Sequence, residues 1–380
     1  LDRKNDIDAH GSLYHAQPMT PGRYLLVRLS AIGDVVFAFE ALAALRAFDP
    51  EARIDWLVED RIRDVVATHP SVERVLCFPR RELRRTALRP WLWLRFWGVV
   101  FGHLRELRRT KYDAVLDLHG NLKSALQVLC TRAARKIGFA APRAKEWSWL
   151  AVKERVAVPS PRPHRSDEGL LLVSRVAGRD LARPPHPILP VDAAARARAA
   201  AWLASHNEDV VAEKPRIVLA PGTSAFAAFK RWPAARFAEL AERLHLAGHR
   251  VIVSTGPGEG ELGLQVCERS GALWFDGAAH GLATALEVLR CADVCVAVDS
   301  GPLHLAQAVG VPVVGVFGPK DPRVYGPRLQ PSLVLRYPTA CTPCGLRRCA
   351  LPTCVQAVAV DDVYEATQRV LAARREASAQ

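Results

Sequence analysis

The chain has 380 residues, 49% apolar and 24% charged, with 52 Lys and Arg against 39 Asp and Glu for a formal charge of +13. That length accommodates two domains of ordinary size, each able to bury a core, and the apolar fraction excludes wholesale disorder. An excess of positive charge invites nucleic acid, an acidic membrane or a phosphorylated ligand, but Arg80 to Lys111 alone holds ten basic and two acidic residues, which leaves +5 on the other 348.

No charge-free run of 18 apolar residues occurs, so no transmembrane helix is expected. The N-terminus has no apolar core of the kind a signal peptide needs, and a cytoplasmic location is expected. The only Met is Met19. Residues 1–18 therefore read as a start-site extension or a disordered tail, and 1–22 as a segment outside the folded domains.

Tyr24–Leu29 reads as a strand, followed by the turn SAIGD and a helix over Val35–Phe48. Ile54–Val58 is the next strand, Arg61–Thr68 a helix, Arg74–Phe78 a third strand and, after a basic insert, Ala114–Leu118 a fourth. Strands alternating with helices imply parallel βαβ units in a doubly wound sheet. Pro is frequent from Pro159 to Pro190, which reads as a linker with a short helix near Gly169–Val176. Beyond it Asp192 caps an Ala/Arg-rich helix, and strands follow at Ile217–Ala220, Val251–Ser254, Val294–Val298 and Val311–Phe317. Pro233 suits the start of a helix. Asp361–Arg375 opens acidic and closes basic, as a helix dipole favours. The expected organisation is one Rossmann-like domain over 23–180, a linker at 181–192, a second such domain over 193–360 and a C-terminal helix over 361–380.

Two such domains place a ligand cleft at the C-terminal ends of their strands, so the loops there carry the candidates. Ser30-Ala31-Ile32-Gly33-Asp34 reads either as a glycine turn with an Asp N-cap or as a carboxylate at the cleft floor, able to take a proton from a hydroxyl. It is not the GxGxxG dinucleotide fingerprint. Ala220-Pro221-Gly222-Thr223-Ser224, followed by Phe229-Lys230-Arg231-Trp232-Pro233, has small residues whose amides can approach an anion, a lysine to add charge and a helix start behind it. The plain alternative is a loop with a solvated lysine. Val298-Asp299-Ser300-Gly301-Pro302-Leu303-His304 repeats the strand-to-helix pattern, with Ser300, Gly301 and His304 placed to hold a second phosphate oxygen, although a lone His can equally be structural. Gly318-Pro319-Lys320-Asp321-Pro322 closes the rim. Gly256-Pro257-Gly258-Glu259 offers a carboxylate to ribose hydroxyls, with Glu261 as the fallback.

Taken in order, RLSAIGDVV, APGTS…FKRWP, GPGE and VDSGPLHLAQAVGVPVVGVFGPKDP resemble the motifs of the ADP-heptose:lipopolysaccharide heptosyltransferases, glycosyltransferase family 9, from about Arg23 to Tyr364. The resemblance implies a GT-B fold, two Rossmann-like domains facing across a cleft with a C-terminal helix crossing back to the first. It implies inverting, metal-independent transfer of heptose from ADP-heptose to an anionic lipid-linked glycan of the lipopolysaccharide core, with no cofactor for catalysis. Asp34 would match the catalytic base and Lys230 the catalytic cation. Thr223, Ser224, Lys230, Glu259, Asp299, Ser300, Gly301 and His304 would hold the nucleotide sugar, and Arg61, Arg63, Lys123 and Arg143 the acceptor. The usual Arg-Glu pair is Arg143-Ala144-Lys145-Glu146 here. The rival readings are a GT-B transferase with another nucleotide sugar or a protein acceptor, and an inactive lipid- or nucleic-acid-binding relative.

Of nine Cys, four fall within Cys341, Cys344, Cys349 and Cys354, spaced C-x2-C-x4-C-x4-C. Four thiolates on a Pro/Gly-bent loop can form a structural zinc or iron site; reduced thiols or disulfides are the alternatives. The Arg80–Lys111 segment interleaves Trp91, Trp93, Phe96, Trp97 and Phe101 with arginines. A basic amphipathic stretch with Trp on its apolar side reads as peripheral contact with the inner membrane. The alternatives are aromatics packed on the domain and single-stranded nucleic acid, with no nucleic-acid partner expected.

Overall fold

The computed structural model describes residues 20–206, 214–346 and 348–379; the extension expected over residues 1–18 lies outside them. A first sheet contains β1 (Arg23–Val27), β2 (Arg53–Glu59), β3 (Arg74–Phe78), β4 (Lys111–Asp117), β5 (Arg132–Phe139) and β6 (Glu154–Val156), in the order β3-β2-β1-β4-β5-β6. A second contains β7 (Arg216–Ala220), β8 (Arg250–Thr255), β9 (Leu273–Asp276), β10 (Val294–Val298), β11 (Val313–Val316) and β12 (Leu333–Leu335), in the order β12-β11-β10-β7-β8-β9. Every neighbouring pair is parallel. The central strands VCVAV and RIVLA are buried along their whole length, as strands covered by helices on both faces must be.

The helices are α1 (Ile32–Phe48), α2 (Arg63–Ala67), α3 (Arg80–Ala87), α4 (Trp93–Arg109), α5 (Leu122–Cys130) and α6 (Arg165–Ala177) around the first sheet. Around the second are α7 (Ala193–Ala204), α8 (Ala234–Leu246), α9 (Gly260–Cys267), α10 (Gly277–His280), α11 (Leu282–Arg290), α12 (Gly301–Ala308), α13 (Pro322–Tyr325), α14 (Thr353–Gln356) and α15 (Val360–Ala379). None of the described helices is long and apolar enough to cross a membrane. Each sheet reverses its winding between two neighbours, β1/β4 and β7/β10, where crossovers leave in opposite directions and open a crevice. The candidate loops follow β1, β4, β7 and β10, so the topology gathers them.

Several expectations change. α1 begins at Ile32 with Ala31 as its cap residue, which puts Asp34 in the first helical turn rather than at an N-cap. The Arg80–Lys111 stretch is the β3–β4 crossover itself, two helices joined by a turn, and not an insert. The short linker helix is the 13-residue α6, packed along α1. β5 and β6 escaped notice because the first is interrupted by Arg132, Arg135 and Lys136 and the second is three residues long. The C-terminal helix, expected to cross back to the first domain, buries Val363, Ala366, Val370 and Leu371 among Trp232, Phe237 and the strand residues of the second sheet. Its apolar stripe matches that face, and the crossing between sheets is made instead by α1 against α12.

Arg328 fastens the same junction. Its guanidinium reaches Glu40 of α1 at 2.8 Å and Asp167 of α6 at 2.5 Å, while the His164 imidazole meets the Gly326 carbonyl oxygen at 3.0 Å. Truncating one partner of a buried ion pair leaves the other charge uncompensated, at about 3–5 kcal/mol. Arg183 still holds Asp167 at 3.0 Å, so Arg328→Ala is expected near the low end, about 3 kcal/mol of unfolding free energy by denaturant titration. A loss below about 0.5 kcal/mol, the range of ordinary surface changes, would show that the clamp contributes nothing.

Candidate active site

The loop after β1 and the first turn of α1 bring Asp34 to the cleft, where two arginines meet its carboxylate. Arg28, at the end of β1 and buried, lies 2.5 Å from one oxygen, and Arg165, at the start of α6, donates from Nε to the other at 2.9 Å. Burial pushes the Asp34 carboxyl up, but the Arg28 and Arg165 guanidiniums outweigh it and hold it well below the usual carboxylate range. The carboxylate is still 29% exposed. Arg165 also pairs with buried Glu168, which in turn holds Arg143 at 2.6 Å and Arg162 at 2.5 Å. Arg143 lies with its guanidinium 4.2 Å from the Phe139 ring centre. A small cleft open to solvent is walled by Arg28, Asp34, Phe37, Arg143, Arg165 and Glu168.

A second cationic cluster stands at the end of β2. Glu59 is fully buried and receives Arg61 at 2.8 Å, Arg80 at 3.0 Å and Lys123. Burial raises its carboxyl, and the bonds from Lys123 and Arg61 more than reverse this, holding it down at about 2. Arg61 and Lys123 are thus brought together. Lys123 arrives because Asn121 and Ser124 form a reciprocal capping box at the start of α5, while Asp117 accepts from the Ser124 hydroxyl at 3.0 Å. Arg63 does not join them; its charge acts on the Cys77 thiol instead.

Across the crevice, Lys230 Nζ meets Asp299 at 2.5 Å. Lys320 from the rim lies close enough that burial first, and then the Lys230 charge, lower its ammonium below the ordinary value. The Ser300 hydroxyl, at the N-cap of α12, is buried with no hydrogen-bond partner among the described residues, beside helix amides. Thr223 is buried; its hydroxyl donates to the Ala227 carbonyl at 3.2 Å and accepts from Arg231 at 3.1 Å, so it shapes the loop. Ser224 is exposed. Glu259 accepts the Gly256 amide at 2.8 Å and lies against Gly222, where a Cβ would come within 2.0 Å of its Oε2. Gly222 is needed because this carboxylate occupies the space.

The two halves meet at His304. A Cβ on Gly33 would stand 2.4 Å from its Cδ2, and Phe37 packs at 4.5 Å between ring centres. Burial pushes the imidazole down to about 4 against the pull of Asp299 and Asp34, so it is neutral near pH 7. His304 and Asp34 act on each other electrostatically, as do His304 and the Lys230–Asp299 pair. Asp34, Lys230, Asp299 and His304 thus stand within electrostatic reach of one another, with Ser300 and Gly301 at the start of the helix that carries His304, while Glu259 keeps to Gly222, Gly256 and Arg231. Sequence reasoning missed Arg28, Arg165, Glu168 and Glu59. The only trace of the Arg165–Glu168 pair is its i, i+3 spacing within PHRSDEG.

The four clustered cysteines are free thiols. Cys354 is buried on α14 beside Gly318, its thiol pushed up by burial and then by the other three, and the Cys344 amide donates to the Pro319 carbonyl at 2.7 Å. No group of three or more His, Cys, Asp or Glu among the described residues is drawn together closely enough to hold a metal ion.

A family model described as glycosyltransferase family 9 (heptosyltransferase) matches residues 100–354. Lipopolysaccharide heptosyltransferase 1 of Pseudomonas aeruginosa is 30% identical over 336 residues, covering 86% of this chain and 87% of that protein. Among solved structures, a glycosyl transferase family 9 protein from Veillonella parvula superposes with TM-score 0.78 at 19% identity, covering 94% of this chain and 99% of the other. The E. coli heptosyltransferase WaaC with ADP superposes at 0.71 and 22% identity, covering 91% and 99%. The twin six-stranded sheets are accordingly a GT-B-like pair, and this chain belongs to glycosyltransferase family 9, the heptosyltransferase family.

Proposed function

We propose that this enzyme moves a heptose from ADP-heptose to a hydroxyl of a phosphorylated lipopolysaccharide-core acceptor, with inversion and without a metal ion, at the cytoplasmic face of the inner membrane. The observation that carries the reading is the convergence on His304 of Asp34 from one domain and the Lys230–Asp299 pair from the other, with Lys320 beside that pair and the unpartnered Ser300 hydroxyl at the start of the same helix. WaaC structures that hold ADP and a fluorinated ADP-heptose support the donor, and the similarity to lipopolysaccharide heptosyltransferases supports the acceptor.

In this reading the diphosphate lies over the α12 N-terminus, its oxygens taken by the Ser300 hydroxyl, the Ser300 and Gly301 amides and Lys230, with Lys320 alongside. Lys230 then exchanges Asp299 for phosphate oxygens and stabilises the charge that grows as the glycosidic bond breaks. Glu259 meets the ribose. The acceptor hydroxyl attacks the anomeric carbon from the face opposite ADP, and Asp34 accepts its proton. Because Arg28 and Arg165 make Asp34 a weak base, transfer of that proton belongs late in the reaction, when the attacking oxygen has become acidic. Anionic groups of the acceptor face Arg143 on one side and the Arg61, Arg80 and Lys123 cluster on the other.

Removing one preorganised charge of this kind lowers turnover by roughly 10²–10³. Asp34→Ala and Lys230→Ala are expected to lose at least that much in transfer from ADP-heptose, with GDP- and UDP-sugars poor donors and chelator without effect on the parent enzyme. Near-normal turnover in either variant overturns the assignment. A second test concerns pH. With both arginines present Asp34 stays ionised far into acid; Arg165→Gln removes one, raises the Asp34 pKa, and should move the acid limb of kcat/KM to higher pH. A profile unchanged in position would show that Arg165 does not act on Asp34.

A further inference from the structure

One helix of the first domain has two apolar faces and only one of them is used. α4 packs inward through Leu107, with His103 bonded to Gln127 of α5 at 2.6 Å. Leu94, Trp97 and Phe101 recur at i, i+3 and i+7, a single stripe on the opposite side, and these residues are exposed, Leu94 to 92% and Phe101 to 63%. Gly98 and Gly102 fall on the same side, and a Cβ on either would meet nothing within 4 Å. A helix that merely covered a sheet would turn polar residues there. The turn leading into α4 and the first residue of the helix add Leu88, Trp91 and Trp93, all exposed.

Arginines frame this apolar stripe. Arg84, Arg85 and Arg89 precede it and Arg105 and Arg108 follow it; none of the five forms an ion pair among the described residues, whereas Arg95 and Arg109 have Glu82 and Glu106. The surface continues beyond α4. α5 exposes Leu122, Leu126 and Leu129 at i, i+4 and i+7, and the turn before β6 exposes Trp147 and Leu150. Residues of α4, α5 and the strand-bordering segment at Val152 share one core cluster, so all lie on the same face of the first sheet. That flank begins at the Arg80–Glu59–Lys123 cluster, next to the cleft.

We infer that the α4 flank, with its apolar stripe and its five unpaired arginines, is a docking surface for an anionic phospholipid bilayer. Trp, Phe and Leu enter the headgroup boundary while arginines pair with lipid phosphates, a combination that neither an apolar protein partner nor a bare phosphate ligand requires. The inference adds a place of work to the proposed transfer reaction but does not depend on it. Docked this way, the enzyme holds its cationic cleft mouth beside the membrane, where a lipid-anchored glycan would present its sugars.

The test uses the full chain with vesicles alone, without donor or acceptor: phosphatidylcholine, and phosphatidylcholine containing phosphatidylglycerol, at low and high salt. Sedimentation should show binding at least tenfold tighter to the anionic vesicles, weakened by salt. Leu94→Glu with Phe101→Glu should lower it at least tenfold. Each of Arg84→Gln, Arg85→Gln and Arg89→Gln should lower it about fivefold while leaving near-ultraviolet circular dichroism unchanged. Equal binding to both vesicles, or variants that bind like the parent, would overturn the inference. So would a parent dimer that Leu94→Glu dissociates with no change in vesicle binding, which would assign the face to a second copy. Tighter binding of a single-stranded oligonucleotide than of anionic vesicles would overturn it as well.

Discussion

The place where Gly33 touches His304 constrains everything else in this molecule. The imidazole occupies the volume that a side chain at Gly33 would need, so the first turn of α1 and the first turn of α12 can approach only through that gap. Asp34 is the next residue in the chain, and Ser300 and Asp299 lie just before α12. A carboxylate rooted in one sheet and an anion-ready helix start rooted in the other are thereby brought to one imidazole. The topology supplies the rest, because both loops leave their sheets at the point where the winding reverses.

Each of these charged groups has a partner of opposite sign before any ligand arrives. Asp34 is held by Arg28 and Arg165, Lys230 by Asp299, Glu59 by three cations and Glu168 by three arginines. Buried ions left unpaired would be expensive, and pairing them internally fixes their geometry. Ligand binding in such a site is an exchange of partners. The protein must already contain an acceptable alternative for each ion it lends, and here four carboxylates are shared among eight cations.

Much of this was legible from residues alone. The strand-loop-helix motifs around Asp34, Thr223 and Ser300 could be read because short β-branched runs followed by Gly, Pro and hydroxyl residues leave a local signature. Arg165 and Glu168 could not, since they sit in a Pro-rich stretch whose meaning depends on α6 folding back along α1 from more than a hundred residues away. Glu59 was hidden for the same reason: its cations come from three separate elements. The C-terminal helix was misplaced because an amphipathic stripe states that a face is buried but not against which sheet. The Trp-rich segment looked like an insert because its arginines mask the helical period. Its role as the β3–β4 crossover emerges only with strand order.

The Glu59 cluster carries a consequence of its own. Arg61, Arg80 and Lys123 together bring three positive charges to one carboxylate, so two remain uncompensated. An anion arriving there shares cations that are already positioned and need not order them, and its attraction grows with its own valence. Selection at that mouth is then by charge number more than by shape. For an acceptor bound as proposed above, such a mouth would favour multiply charged phosphate groups over monovalent ions.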